Sequence, residues 1–321
     1  MNDNQSLIDW LLSGDISIRY HVKRDLLNFP EKKLTSLQTQ IPLNGWGRRI
    51  LSKRNPKNGL WGGGVYLPKW TSTHYTLLDL KNLGISQSNN EYVESSGVLL
   101  DRLWFNKGEV AKKRIQDICV SAMLLSICGH AKIRSPKFDE IIDYLIDKRR
   151  SDGGWNCSWW KGSEKSSLHS TLTILESLRD LEANGYSYRL NELKILRDDA
   201  HELLLKRKLF RSLTTEEVID KKMLMLSYPS RWRYDILRSL DYFQSIDAPY
   251  DDRMQDAIEI LLKKRKPNGR WPVQHKHAGL VHFDMEQTGE DSRWNTLRAL
   301  RVLMKYRKEY FEQAVANVEP L

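Results

Sequence analysis

Two stretches of the chain read almost alike: Lys148-Arg149-Arg150-Ser151-Asp152-Gly153-Gly154-Trp155 and Lys264-Arg265-Lys266-Pro267-Asn268-Gly269-Arg270-Trp271. They align without a gap. Lys53-Arg54 followed by Gly59-Leu60-Trp61 joins them with one inserted residue. Each stretch ends an apolar helical run and leads through a loop into another helix. Basic residues at the end of a helix complement the negative pole of its dipole. Asp-Gly or Asn-Gly then stops the helix. The tryptophan is large enough to plug the turn against a neighbouring helix.

A second pattern sits on the helices that follow. Ser72-Thr73-His74-Tyr75-Thr76-Leu77-Leu78-Asp79-Leu80 and Ser167-Leu168-His169-Ser170-Thr171-Leu172-Thr173-Ile174-Leu175-Glu176 both open on Ser, place a His early and continue with Leu at helical spacing. Ser230-Arg231-Trp232 with Leu237-Arg238-Ser239-Leu240, and Ser292-Arg293-Trp294 with Leu297-Arg298-Ala299-Leu300, form another pair. These four stretches are expected to be helices with a polar first turn. A fifth, residues 116–129, is almost wholly apolar and reads as buried. Polar amphipathic stretches alternate with them, near 90–105, 136–149, 191–207 and 251–265. No period-2 run with hairpin turns stands out. Units of about fifty residues give about six helix pairs, an all-α repeat architecture that stacks as a solenoid or closes as a ring.

The remaining composition sets limits. A chain of 321 residues with 40% hydrophobic and 29% charged residues buries a sizeable core and is not largely disordered. No apolar run approaches the roughly 20 residues of a membrane helix. The start, Met1 to Leu12, has neither the basic nor the apolar segment of a secretory signal. A cytoplasmic protein that does not span a membrane is the expectation. Three cysteines, Cys119, Cys128 and Cys157, do not make a disulfide framework and read as reduced thiols. A formal charge of +10 favours anionic partners without choosing among them.

The Asp/Asn-Gly-x-Trp turns resemble the QW repeats of squalene and oxidosqualene cyclases, and the related turns of protein prenyltransferase β subunits. The stretches around Trp70 to Thr76 and Ser292 to Arg301 look like those of a bacterial prenyltransferase/squalene-cyclase-like group. The resemblance covers about Gly59 to Tyr306. It implies an (α/α)6-type toroid of helix hairpins, a single domain over 1–321 with residues 1–45 capping the ring. It also implies an isoprenoid substrate of the prenyl diphosphate type in the central cavity. The chain departs from the pattern in three places. Arg149 and Arg265 stand where the repeat usually carries Gln. The Asp-x-Asp-Asp acid of class II cyclases is missing, with Asp284-Met285-Glu286 the nearest text. Asp152, Cys157 and His169 match the zinc set of prenyltransferases only loosely, and no metal is assigned.

Candidate site residues follow from placement. If inner helices point the same way, His74, His169, Arg231 and Arg293 line one mouth of the ring, with Trp70, Trp232 and Trp294 beside them. Arg and helix N-termini suit a phosphate or carboxylate, and the aromatics suit an isoprenoid tail or a cation. Residues 267–291 lack helical periodicity and are long for an idle connection. There Asp284 and Glu286 are candidate proton donors or bases, together with His74 and His169. The alternative for Glu286 is a structural pair with an arginine. His275 and His277 have metal-binding spacing, though surface histidines of this kind are commoner. Cys157, twelve residues before His169, is either a ligand or nucleophile or a packed thiol. Asp251-Asp252-Arg253 reads as a helix cap rather than a diphosphate motif.

Three functions compete. The first is an isoprenoid cyclase or prenyltransferase-like protein. The second is a non-catalytic helical-repeat module for an anionic partner. The third is a toroid enzyme acting on a small polar acid. Forty-one acidic residues interleave with the basic ones, which argues against nucleic acid as the partner. No cofactor is legible, nor is the oligomeric state.

Overall fold

The computed structural model describes residues 6–111 and 114–315. The chain is mostly helical: α1 Leu7–Leu12, α2 Ile16–Asp25, α3 Glu31–Gln38, α4 Gly45–Leu51, α5 Thr73–Leu83, α6 Asn90–Leu103, α7 Ile118–His130, α8 Lys137–Asp147, α9 Leu168–Ala183, α10 Leu190–Lys206, α11 Ile236–Ser245, α12 Gln255–Lys263, α13 Arg293–Tyr306 and α14 Lys308–Val315. Strand structure among the described residues amounts to two short antiparallel pairs, β1 Glu109–Ala111 with β2 Arg114–Ile115 and β3 Trp271–Pro272 with β4 Asp291–Ser292, and a few isolated bridges. No helix among the described residues is long and apolar enough to cross a membrane.

The three Gly-Trp turns share one geometry. The indole N–H of Trp61 donates to the Ile50 carbonyl at 2.8 Å, that of Trp155 to Leu145 at 2.7 Å, and that of Trp271 to Leu261 at 2.7 Å. Each acceptor lies in the last turn of α4, α8 or α12, where carbonyls have no partner within the helix. The backbone N–H of the same three tryptophans donates to Thr73, Thr171 and Thr296 hydroxyls on α5, α9 and α13. Each fully buried indole therefore ties the end of one helix to the start of the next. Gly153, at φ 104, makes the reversal that L side chains resist.

Helix character follows from sequence. In α8, Phe138, Ile141, Ile142 and Leu145 are buried at i, i+3, i+4, i+7 spacing, and charged residues fill the other face. By contrast, α7 is buried from Ile118 through Gly129, as its unbroken apolar run requires. It packs between α5 and α9, with α6 and α8 outside it. Helix α9 carries α10, α11 carries α12 and packs on α13, and α13 returns to pack on α2.

One boundary differs from the sequence expectation. Helix α13 starts at Arg293, but α11 starts only at Ile236, capped by the Asp235 side chain. Arg231 and Trp232 therefore lie in a loop, not in a helical first turn, and Arg231 adopts φ 54. Asp235 competes successfully as the cap because its carboxylate accepts the Arg238 N–H at 2.8 Å. At Asp251 the carboxylate accepts the Arg253 N–H at 2.9 Å and pairs with its guanidinium, so this acidic run caps a helical turn.

Candidate functional site

A cavity of about 1600 Å³ is lined by α2, α5, α7, α9, α11 and α13 and by the Tyr228–Arg231 loop. Its lining comes mainly from the second halves of these helices and the loops that follow them, such as Ser86–Ser88 and Ala131–Lys132. The volume exceeds the roughly 300–1,000 Å³ of an ordinary ligand pocket. Aromatic rings of Tyr20, Tyr228, Tyr242 and Trp294 share the lining with many charged groups.

The charges form a circuit from helix to helix. Asp25 of α2 pairs with Arg301 of α13. Arg298 of α13 reaches Asp241 of α11 at 3.1 Å. Arg238 of α11 holds both oxygens of Glu176 on α9, at 3.0 and 2.5 Å. Asp180 of α9 binds Lys81 of α5 and the Ser126 hydroxyl of α7. His21 of α2 closes the loop by contacting the Asn82 carbonyl of α5 at 3.0 Å. Desolvation of the charges offsets much of what buried ion pairs of this kind gain in attraction. Burial opposes ionisation of Asp25 and Asp180, but the neighbouring cations prevail and hold both well below the ordinary carboxylate range. His21 is lowered to about 4, first by burial and then by Arg24, so its ring is neutral at pH 7.

The floor is different. Asp79 and Arg231 meet there at 3.5 Å, and the Arg231 guanidinium lies 4.6 Å from the centre of the Trp70 ring. Trp70 and Arg231 both hold positive φ, 53 and 54, a strained conformation for side chains of this size. Burial pushes Asp79 up to about 6 against the pull of Arg231. Trp294 stacks on Tyr228 with centroids 5.0 Å apart. The Nε groups of Arg231 and Trp294 are buried and have no hydrogen-bond partner among the described residues. Asp79, Tyr228, Pro229 and Arg231 also line a smaller pocket under the 276–286 segment, so they form a partition between the two.

Of the residues singled out in the sequence, Arg231 and Trp294 line the main cavity, and Trp70, Arg231, His277, Asp284 and Glu286 line the smaller pocket. Trp70 is anchored by its N–H to the Ala278 carbonyl at 2.7 Å. Glu286 accepts from the Ser292 hydroxyl and the Trp294 N–H at the start of α13, and burial raises its carboxyl. Asp284, also on the smaller pocket, pairs with Lys276. His74 is fully buried against Tyr66 and Tyr75, unpartnered at both ring nitrogens among the described residues, and lowered to about 3 by burial. His169 accepts the Tyr234 N–H at 2.8 Å and sits 5.5 Å from the Trp232 ring; burial first, then Arg238, lowers it to about 4. Arg293 packs over Trp10 and donates to its carbonyl at 3.0 Å. These side chains form separate clusters rather than one mouth.

His275 and His277 stack edge to face at 5.1 Å, and Cys157 contacts Cys119 rather than His169. Among the described residues, no group of three or more His, Cys, Asp or Glu is placed to hold a metal ion.

Sequence reading missed most of the cavity. Glu176, Arg179 and Asp180 on α9, Arg238 and Asp241 on α11, and Arg298 and Arg301 on α13 all line it. The signal was present: charged residues recur at i, i+3 on helices whose remaining surface is apolar.

No family model matches the chain, and no curated protein matches it. Solved structures similar to it include the type II terpene cyclase MstE from Scytonema without ligand, at TM-score 0.44 and 17% identity, covering 91% of this chain and 88% of that one. A variant of the same cyclase in complex with geranylgeranyl dihydroxybenzoate gives TM-score 0.42 and 16% identity, covering 95% and 88%. Likeness at that level carries no weight for the reaction, so the reading rests on this chain's own residues.

Proposed function

We propose that the chain is a single-domain α/α-toroid enzyme whose central cavity takes a polar small molecule bearing an acidic group. Helix α7 packs between α5 and α9, α13 packs on α11 and on α2, and side-chain bridges span α9 to α11 and α2 to α5, an arrangement that supports the toroid. The observation that carries the function is the Asp79–Arg231 pair in the cavity lining, where Arg231 Nε and the indole N–H of Trp294, another lining residue, are buried and have no hydrogen-bond partner among the described residues. An unpaired buried donor costs about 1–3 kcal/mol, which a ligand oxygen would relieve. Asp79 beside Arg231, with its proton held up to about 6, is suited to general acid–base work near neutral pH.

The walls refine the substrate. Arginines 238, 298 and 301 are already neutralised by carboxylates, and the circuit leaves donors and acceptors alternating around the ligand. That lining suits a polar body better than a bare hydrocarbon. An isoprenoid with an acidic head is the second reading. It is favoured by Tyr20, Tyr228, Tyr242 and Trp294, whose faces suit a tail or a developing cation.

The test is thermal unfolding with pyrophosphate, farnesyl diphosphate, geranylgeranyl diphosphate, succinate and glucose 6-phosphate, on the wild type and Arg231→Met. A ligand bound only by the folded state raises the midpoint. We expect at least one probe to raise it in the wild type and not in Arg231→Met, with polar probes outranking prenyl ones. Growth of the effect with prenyl length selects the second reading. A rise that survives Arg231→Met, or no rise with any probe, overturns the site.

A further inference from the structure

We propose that Cys119 and Cys157 form a peroxide-reactive dithiol, in which Cys157 attacks the oxidant and Cys119 closes an intramolecular disulfide. Their sulfurs lie 2.7 Å apart although the residues are 38 apart in sequence. Two structural devices bring them together. Cys119 is the second residue of α7, which packs closely on α9. Cys157 follows the Trp155 turn, and its N–H donates to the Ser170 hydroxyl on α9 at 3.1 Å.

The two thiols are not equivalent. Cys157 is half-buried, in a loop with exposed neighbours, and Cys119 is buried. The Cys157 sulfur faces the Cys119 thiol, the Cys119 N–H at 3.4 Å and the Ser170 hydroxyl at 3.3 Å. These donors, together with the N-terminal end of α7, favour a thiolate at this position. The hydrogen bond from Cys119 pulls the Cys157 thiol below its ordinary value against burial, and the same bond, then burial, pushes Cys119 well up. Cys157, the more accessible thiol and the one that accepts from the Cys119 N–H and the Ser170 hydroxyl, is the nucleophile, and Cys119 is the resolving thiol.

The chemistry balances with hydrogen peroxide as the oxidant. The Cys157 thiolate forms an S–O bond as the O–O bond breaks, and the departing hydroxide takes a proton to leave as water. This gives the sulfenic acid. The Cys119 sulfur then forms the S–S bond as the S–O bond breaks, releasing a second water. Two thiols lose two electrons, and one peroxide becomes two waters. The product joins the first turn of α7 to the loop before α9, two helices that line the cavity further along.

Cys128 supplies an internal control. It is buried on α7, with its thiol donating to the Ser96 carbonyl. The native full chain is exposed to hydrogen peroxide, the excess is removed, and thiols are counted after denaturation. We expect three thiols before and one after, a Cys119–Cys157 linked peptide in a non-reducing digest, and return to three with dithiothreitol. The crosslink should also raise the melting midpoint by about 5 °C, as expected for a closed loop of this length. In Cys119→Ser, dimedone should trap Cys157 as sulfenic acid. Three thiols remaining after peroxide, a linkage through Cys128, or equal thiol loss in Cys157→Ser would overturn the proposal. The count and the digest on the wild type decide it even where a variant folds poorly.

Discussion

Replacing Trp155 by Phe tests the repeated turn at its most informative point. Trp155 is fully buried, and its indole N–H meets the Leu145 carbonyl in the last turn of α8. Phenylalanine keeps an aromatic ring there but removes that donor. A buried carbonyl left without a partner costs about 2 kcal/mol. The lost ring atoms and the void they leave add about 1–2 kcal/mol. The expected destabilisation is therefore about 3–4 kcal/mol. Unfolding entropy of about 2.1 cal/mol/K per residue, applied to 321 residues, converts this to a midpoint shift of about 5 °C. Calorimetry and urea unfolding should agree on the shift. The comparison is Trp160→Phe, on a ring that is 42% exposed, where less than about 0.5 kcal/mol is expected. Equal shifts for the two variants would refute the view that these tryptophans tie helix ends together.

Other substitutions probe the packing and the cavity. Gly154→Ala places a Cβ 2.5 Å from the Thr171 hydroxyl and 2.7 Å from Leu203, and should cost about 1–3 kcal/mol in urea unfolding. Glu176→Gln and Arg238→Met should each cost about 3 kcal/mol, and the double variant clearly less than their sum, because each single change strands a buried partner. For Asp79, the folded state holds the proton up to about 6 against an ordinary value of 3.8. The protonated form is thus favoured by folding, and the wild type loses stability as pH rises from about 4 to 6. Relative to Asp79→Asn that loss should total about 3 kcal/mol and then level off. A pH-independent difference between the two would contradict the burial of Asp79.

The parts of the fold that were legible are local ones. The Gly-Trp turns announce themselves because a helix end, a glycine and a plugging indole lie within a few consecutive residues. Helices α5, α7, α9 and α13 were readable from Leu spacing or from an unbroken apolar run. The cavity was less legible because it is assembled from far-apart charges. Glu176 meets Arg238 across 62 residues, and Asp25 meets Arg301 across 276. On each helix alone such residues look like a solvated face. His74 and His169 drew notice by repeating in the sequence, yet their rings lie among aromatics and backbone rather than on the cavity. Arg231 stood out for the wrong local reason: a loop, not a helix start, carries it to the floor.

The central claim is that an acidic ligand group rests on Arg231 and Trp294. Native mass spectrometry tests it most directly, on the chain incubated with the small-molecule fraction of a cell extract, beside Arg231→Met and Trp294→Phe. The account predicts a discrete added mass on the wild type that is lost or sharply reduced in both variants. No adduct on the wild type, or the same adduct on all three proteins, would contradict it.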